Sequence, residues 1–410
     1  MSISFQGLVG ALEEAGRRLV TPANALAPLL IQRAQVQAAS TVLGADGLSW
    51  SQIGADTPRF QGTARPMLVE TQRTNGLRNP RAEGSVAGSP GTLPTHWSAS
   101  SPAGSARSVI GSGAENGIGY VEIEWVFTAA ATVDLGLDAA TVAATAGAGL
   151  AVSAFVRAIT NTAPGTIVLN VQSRNVGGSQ LDAMNHAVTP TNAALGSQRW
   201  GGATTQVANV TQANVNLRIA ATGAGTVRLR IGWPQAEIGA FASTPILPGA
   251  GNPVASTRGA EIVAAPLSSL GIKPNGACTL LLSGVLPHAS PAAGSFNLLR
   301  ISDGTDINRI FVRDNGGTNL LLWRVTAGIA ANVACGSYTA SAPLRLGLSL
   351  NGAGRAAVSF NGAAAVAITG APIAGLTSLN LSGLVAEWRL ARALPFALAD
   401  DRLATATLAL

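Results

Sequence analysis

Apolar and polar residues alternate through most of the chain after residue 77. The runs "YVEIEWVF" (120–127), "LAVSAFVRAI" (150–159), "TIVLNVQSR" (166–174), "VNLRIAA" (215–221) and "TVRLRIGWPQAEIG" (226–239) follow a period of two. That period predicts strands with one buried face, and the Gly, Pro and Asn clusters between them predict the turns of a sandwich. A second series follows the Gly/Pro-rich segment 244–261: "CTLLLSGVL", "FNLLRISDG", "RIFVRDNGG", "NLLLWRV", "LRLGLSLNG", "RAAVSFNG" and "LNLSGLVAEWRLA". Two Asn-Gly pairs, at 351–352 and 361–362, mark hairpins there. The N-terminal segment has another rhythm. Phe5, Leu8, Leu12 and Leu19 recur at helical spacing, with Glu13, Glu14, Arg17 and Arg18 opposite them. This predicts one short amphipathic helix, interrupted by Pro22 and Pro28.

The pattern gives an all-β fold class: two antiparallel β-sandwich (jelly-roll) domains preceded by a short N-terminal helix and an extended arm. The expected divisions are a helical anchor over 1–38, an arm over 39–76, a first sandwich over 77–250 and a second over 251–410. An isolated helix of this length is marginal in water, so its apolar stripe needs a partner. That partner is either the first sandwich, with the helix folded back on it, or a larger assembly, in which case Phe5, Leu8, Leu12 and Leu19 are the candidate attachment residues.

Composition narrows the function. Charged residues make up only 11% and aromatics 4%, and the net charge of +6 comes almost wholly from arginine, Lys273 being the sole lysine. The arginines are scattered, whereas a nucleic-acid binder concentrates them in a stripe, so nucleic acid is not an expected partner. An acidic polysaccharide remains open as a polyanion. Cys278 and Cys335 are read as buried free thiols, and His96, His186 and His288 lie far apart, so neither a metal nor a cofactor is expected. Glu13 and Glu14 sit where the apolar core of a signal peptide would be, and no run has transmembrane character, so no membrane partner is expected. The expected route is synthesis in the cytoplasm without an obvious export signal, so that release would follow lysis of the cell that makes it.

Residues 45–75, "ADGLSWSQIGADTPRFQGTARPMLVETQRTN", resemble a segment of bacteriophage tail-fibre and related virion proteins. The matching positions are Asp46, Gly47, Pro58, Arg59, Phe60, Leu68, Val69, Glu70, Arg73, Thr74 and Asn75. "LRNPRAEGSVAGSPGTLPTHWS" and "WPQAEIGAFASTPILPGAGNPVASTRGAE" look like the entry and exit of a carbohydrate-binding-module-like jelly roll. "LRLGLSLNGAGRAAVSFNG" and "LSGLVAEWRLARALPFALADDRLATAT" are similar to a concanavalin A or laminin-G-type sandwich ending in a short turn of helix. Such proteins occur in tailed phages and in phage-like gene transfer agents. The resemblance implies a head spike or tail fibre on the virion surface, a homo-oligomer (trimer or pentamer) held by other virion proteins, adsorbing to a host capsular polysaccharide. A structural decoration protein without glycan contact is the alternative. Arg59, Arg65, Arg73, Arg78 and Arg81, with Glu70 and Glu83, would then hold the arm through charge-assisted bonds.

No catalytic motif is present: a nucleophile elbow is absent, and the histidines are too dispersed for a triad. Asp303, Asp306 and Asp314 fall in Gly/Asn turns where aspartate is a turn residue, and the same reading is preferred to calcium ligation. Glu122 and Glu124 read as one solvated strand face. The chain is thus expected not to be an enzyme. Sugar binding depends on aromatic platforms flanked by amides and charges. Trp97, Trp125, Trp233 and Trp388 read as core. Trp200 with Asn185, His186 and Arg199, and Trp323 with Arg313 and Asn319, are the candidate carbohydrate-binding residues.

Overall fold

The computed structural model describes residues 17–21, 24–25, 30–33, 39–54, 57–274, 276–289, 296–373, 375–382 and 385–410. Every strand pair among the described residues is antiparallel, and Asp400–Leu408 is the one α-helix among them. The fold is all-β. The chain forms two units that interleave in sequence: a central unit of residues 35–54 and 72–259, and a C-terminal unit of 1–34, 55–71 and 260–410.

The central unit is a two-sheet sandwich. One sheet runs in the order Ser105–Glu115, Ile118–Phe127, Gly225–Ile238, Gly149–Asn161, Arg199–Thr205; the other runs Gln180–Val188, Gly165–Arg174, Gln212–Ala221, Ala131–Gly136, Ser98–Ala99. Alternation delivers Val121, Ile123 and Trp125 from one sheet and Leu169, Val171, Leu217 and Ile219 from the other into a common core. The first hairpin turns at Asn116–Gly117, both at positive φ (52° and 78°), the geometry of a two-residue turn. A Cβ on Gly117 would lie 1.9 Å from the Trp50 carbonyl oxygen, so glycine is required twice over.

The strand Gly149–Asn161 is buried on both faces. Its Phe155 points away from the main core and meets Trp50 and Trp233 edge-on, with centroids 5.5 and 6.1 Å away. Trp50 belongs to a hairpin, Ala39–Leu43 with Trp50–Ile53, whose first strand also pairs with Ile246–Leu247. Asp46 builds the turn: it accepts bonds from the Ser49 hydroxyl and the amides of Leu48 and Ser49, which hold its carboxyl down at about 2.

The C-terminal unit sandwiches a core of Val263, Leu280, Leu299, Val312, Leu322, Leu346 and neighbours between two larger sheets. One contains Cys278–Val285, Pro343–Leu350, Arg355–Phe360 and Val385–Leu394, and the helix Asp400–Leu408 packs Leu403 and Ala406 on Leu281, Ala357 and Leu394 of that sheet. The other runs Ile329–Ser337, Asn319–Thr326, Arg309–Asp314, Phe296–Ser302, Ser378–Leu381, Glu261–Pro266, Leu30–Arg33. The thiols of Cys278 and Cys335 are free and buried, and burial pushes them up to about 12 and about 11.

The N-terminal region departs from its expected form. Arg17–Thr21 is a strand paired with Val385–Leu394, and Leu30–Arg33 is one paired with Glu261–Pro266, where a helix followed by an irregular or extended arm was expected. Leu19 lies in the first of these strands, whereas Phe5, Leu8 and Leu12 lie outside the described residues. The arm is also less bare than its charge suggests. Phe60, Met67 and Val69 enter the C-terminal core, and Leu68 is buried beside them. Arg59 is fully buried between Glu70 and Glu261, at 2.7 and 2.5 Å. Burial opposes the guanidinium charge, but the two carboxylates outweigh it and hold its pKa above the ordinary value. The sequence supplied Arg59 and Glu70; Glu261 became visible only when Glu261–Pro266 was placed beside them.

Candidate functional site

Among the described residues the carboxylates are tied up by arginines and by their own turns. Glu122 is bridged by Arg228 and Arg230, and Glu115 by Arg157 and Arg230. Burial raises both glutamates, but these bonds outweigh it and lower their pKa values. Asp303 accepts from Thr305 and Asn308, and Asp314 from Gly316 and Tyr338, so each is held in its turn. Among the described residues no three His, Cys, Asp or Glu side chains come together to hold a metal ion. A cavity of about 340 Å³ opens in the central unit beside Asn161, Pro164, Ile167, Val188 and Ile219, and none of its lining side chains is ionisable.

The four candidates in the central unit divide between two faces. Arg199 and Trp200 are consecutive on one strand, so their side chains point oppositely. Trp200 turns inward: its ring packs on the sandwich core, and its indole N–H donates to the Val156 carbonyl at 3.0 Å. Arg199 turns the other way, 5.9 Å over the Phe155 ring and bonded to Ser153 and the Ser243 carbonyl. His186 reaches from the opposite sheet to the side of Trp200, bonding Thr204 at 3.0 Å, and burial pushes its pKa down. Asn185, its neighbour, accepts from Asn170 instead. Trp200 and His186 thus share an interior face, while Asn185 and Arg199 do not join them.

The C-terminal unit brings its candidates together on the outward face of a sheet. In Arg309–Asp314 and Asn319–Thr326, residues Ile310, Val312, Leu320 and Leu322 enter the core. Phe311, Arg309, Arg313, Leu321 and Trp323 alternate with them on the opposite face, where Trp323 is partly exposed and Phe311, at 2%, is covered. The turn at Ala327–Gly328, both at positive φ, sets the next register and places Asn332 opposite Trp323. Directly paired positions form one row: Asn380, Arg300, Phe311, Trp323, Asn332. Five adjacent strands make that row about 19 Å long.

Phe311 and Trp323 stack nearly parallel, 4° apart, with centroids 5.9 Å distant. Arg309 lies 4.8 Å over the Phe311 ring, and Arg313 lies 5.9 Å over Trp323. The Trp323 indole N–H is buried and finds no hydrogen-bond partner among the described residues. Asp306, on the hairpin turn, bridges Arg300 and Arg309 while remaining 73% exposed. Asn319 lies farther along the same face and is exposed. Phe311, Arg300, Arg309, Asn332 and Asn380 were not candidates in the sequence. The signal for Phe311 was its alternation with Ile310 and Val312, but the row across strands depends on register.

No protein-family model and no curated protein sequence matches the chain. Among solved structures it is similar to "Ruminococcus gnavus IT-sialidase CBM40 bound to alpha2,3 sialyllactose", with 14% identity over 32% of this chain and 83% of that one, TM-score 0.27. A further Ruminococcus gnavus IT-sialidase CBM40 structure matches at 15% identity over 35% of this chain and 92% of that one, TM-score 0.29. "NanB plus Optactamide" matches at 15% identity over 35% of this chain and 26% of that one, TM-score 0.28. At these values the functional reading rests on the geometry of the chain itself.

Proposed function

We propose that this chain is a non-catalytic glycan-binding protein, and that it holds the sugar on the sheet face around Trp323, whose ring is partly exposed over the buried Phe311. The observation that carries this reading is the cross-strand row in which a stacked aromatic pair is flanked by amides and guanidinium groups. A pyranose presents an apolar face to an aromatic ring and a rim of hydroxyls to donors and acceptors, and this row offers both. The resemblance over residues 45–75 supports placing the protein on the surface of a phage or phage-like particle, where it would adsorb to host capsular polysaccharide. Repetition in a trimer or pentamer would turn weak single contacts into firm attachment.

Pull-down on host capsule by wild-type and Trp323→Ala protein tests the binding reading. Wild type is expected to be retained, and the variant to lose at least about tenfold in affinity. A folded variant that binds as well as wild type would remove the site. If the unmodified protein holds no host polysaccharide, the chain is instead a structural decoration of the particle. Particle attachment is tested by deleting residues 1–16, since a longer deletion would strip the strands Arg17–Thr21 and Leu30–Arg33 from their sheets. Particles that retain full occupancy after that deletion would overturn the anchor.

A further inference from the structure

We infer that the row on the C-terminal unit selects carboxylated polysaccharides, with Asp306 standing in for the ligand carboxylate when the site is empty of sugar. The inference rests on the glycan-binding reading and specifies its ligand. Arg300 and Arg309 lie on adjacent strands, and both direct guanidinium nitrogens at the same Asp306 carboxylate. Arg300 is further held by the Thr305 carbonyl at 2.6 Å, and Arg309 by its stack on Phe311. The two groups are thereby oriented before any ligand arrives, in the same cross-strand face as the Trp323 ring on which a sugar would lie.

Asp306 itself is held far more loosely. Its side chain is 73% exposed on a turn, whereas those of Arg300 and Arg309 are only 20% and 23% exposed. The arginines are therefore fixed and the carboxylate is replaceable. With Asp306 swung out, an arriving anion meets the paired guanidinium groups of Arg300 and Arg309 that Asp306 had bridged. The group already bound there is a planar carboxylate, which two guanidinium forks match in shape as well as charge. A uronic-acid residue stacked on the partly exposed Trp323 ring presents the same group, covalently attached to the ring that the tryptophan holds. Displacement exchanges one carboxylate for another and breaks no covalent bond.

The test compares hyaluronan, alginate and polygalacturonate with the carboxyl-reduced form of each, using the full chain as wild type, Asp306→Asn and Arg309→Gln. Melting temperatures confirm that each variant is folded. Wild type is expected to retain at least one carboxylated polymer and to bind its reduced form about tenfold more weakly, since a charge-assisted bond is lost. Asp306→Asn removes the internal competitor and is expected to tighten binding of the carboxylated form several-fold while leaving the reduced form unchanged. Arg309→Gln should erase the preference. If wild type binds carboxylated and reduced polymers equally, the carboxylate inference fails while glycan binding stands. If Asp306→Asn weakens binding of the carboxylated form, the stand-in role is overturned. If neither form of any polymer is retained, both readings fall together.

Discussion

Trp200 and Trp323 stand in similar local sequence, each in a strand at or next to the edge of a sheet and each directly beside an arginine, yet the fold uses them oppositely. Trp200 faces the interior of the central sandwich and gives its N–H to the Val156 carbonyl. Trp323 lies on the opposite face of its sheet, partly exposed, stacks on the buried Phe311, and has a buried N–H without a partner among the described residues. The difference follows from which strand face the rest of each sheet buries. In Arg199–Thr205 the interior face carries Trp200, Gly202 and Thr204, and Gly202 leaves space filled by the His186 ring. In Asn319–Thr326 the interior face already carries Leu320 and Leu322, which leaves Trp323 on the other side. A tryptophan in a polar-looking segment therefore identifies a binding platform only when its neighbours at alternate positions are known to fill the core.

Stability separates the two most sharply. Trp200→Ala removes an aromatic packed on the core and leaves the Val156 carbonyl without its donor. It is expected to cost about 3 kcal/mol in denaturant unfolding, with binding by the folded fraction unchanged. Trp323→Ala should cost less, about 1 kcal/mol for the lost stack, while the binding defect is large. If the two variants lose equal stability, or if Trp200→Ala alone abolishes binding in folded protein, the comparison is broken.

Acid sharpens the contrast between the units themselves. Glu115 and Glu122 in the central unit have pKa values lowered from 4.5, so their stabilisation is present above that value and is lost as pH falls through the folded-state pKa below it. Glu387 in the C-terminal unit runs the other way: burial first, and then the Glu70 charge, raise its pKa, so protonation relieves it. Calorimetry from pH 6 down to pH 3 should show a falling transition for the central unit. Glu122→Gln should flatten that fall, and a profile identical to wild type would remove Glu122 from the account. The smallest expected effect is from Glu387→Gln, which mimics the protonated state and should raise the C-terminal transition slightly at pH 7. A lowered transition there would show that the charged form is the stabilising one.

Much of this was legible in the chain. The period of two located the strand series, and the core assignments of Trp97, Trp125, Trp233 and Trp388 match their burial at 7%, 1%, 3% and 1%. Asn351–Gly352 and Asn361–Gly362 sit between strands that pair as hairpins. The helical period over the first twenty residues misled at Leu19, because a four-residue apolar spacing says nothing about a strand whose partner, Val385–Leu394, lies more than 350 residues away. The arm was misjudged for the same reason. Its charges were visible, but Glu261, which shares Arg59 with Glu70, is 202 residues away in sequence.

The sequence by itself determined the all-β class, because alternation is a local property of each strand and the turns carry their own Gly and Asn signatures. It also determined that cysteine, histidine and carboxylate positions are too dispersed along the chain to suggest a known catalytic motif. Tertiary structure alone decided which tryptophan faces outward, which arginines share Asp306, and which strands the N-terminal segments join. Those outcomes depend on register, and a shift of one residue between paired strands would reverse every face while leaving the alternation of each strand unchanged.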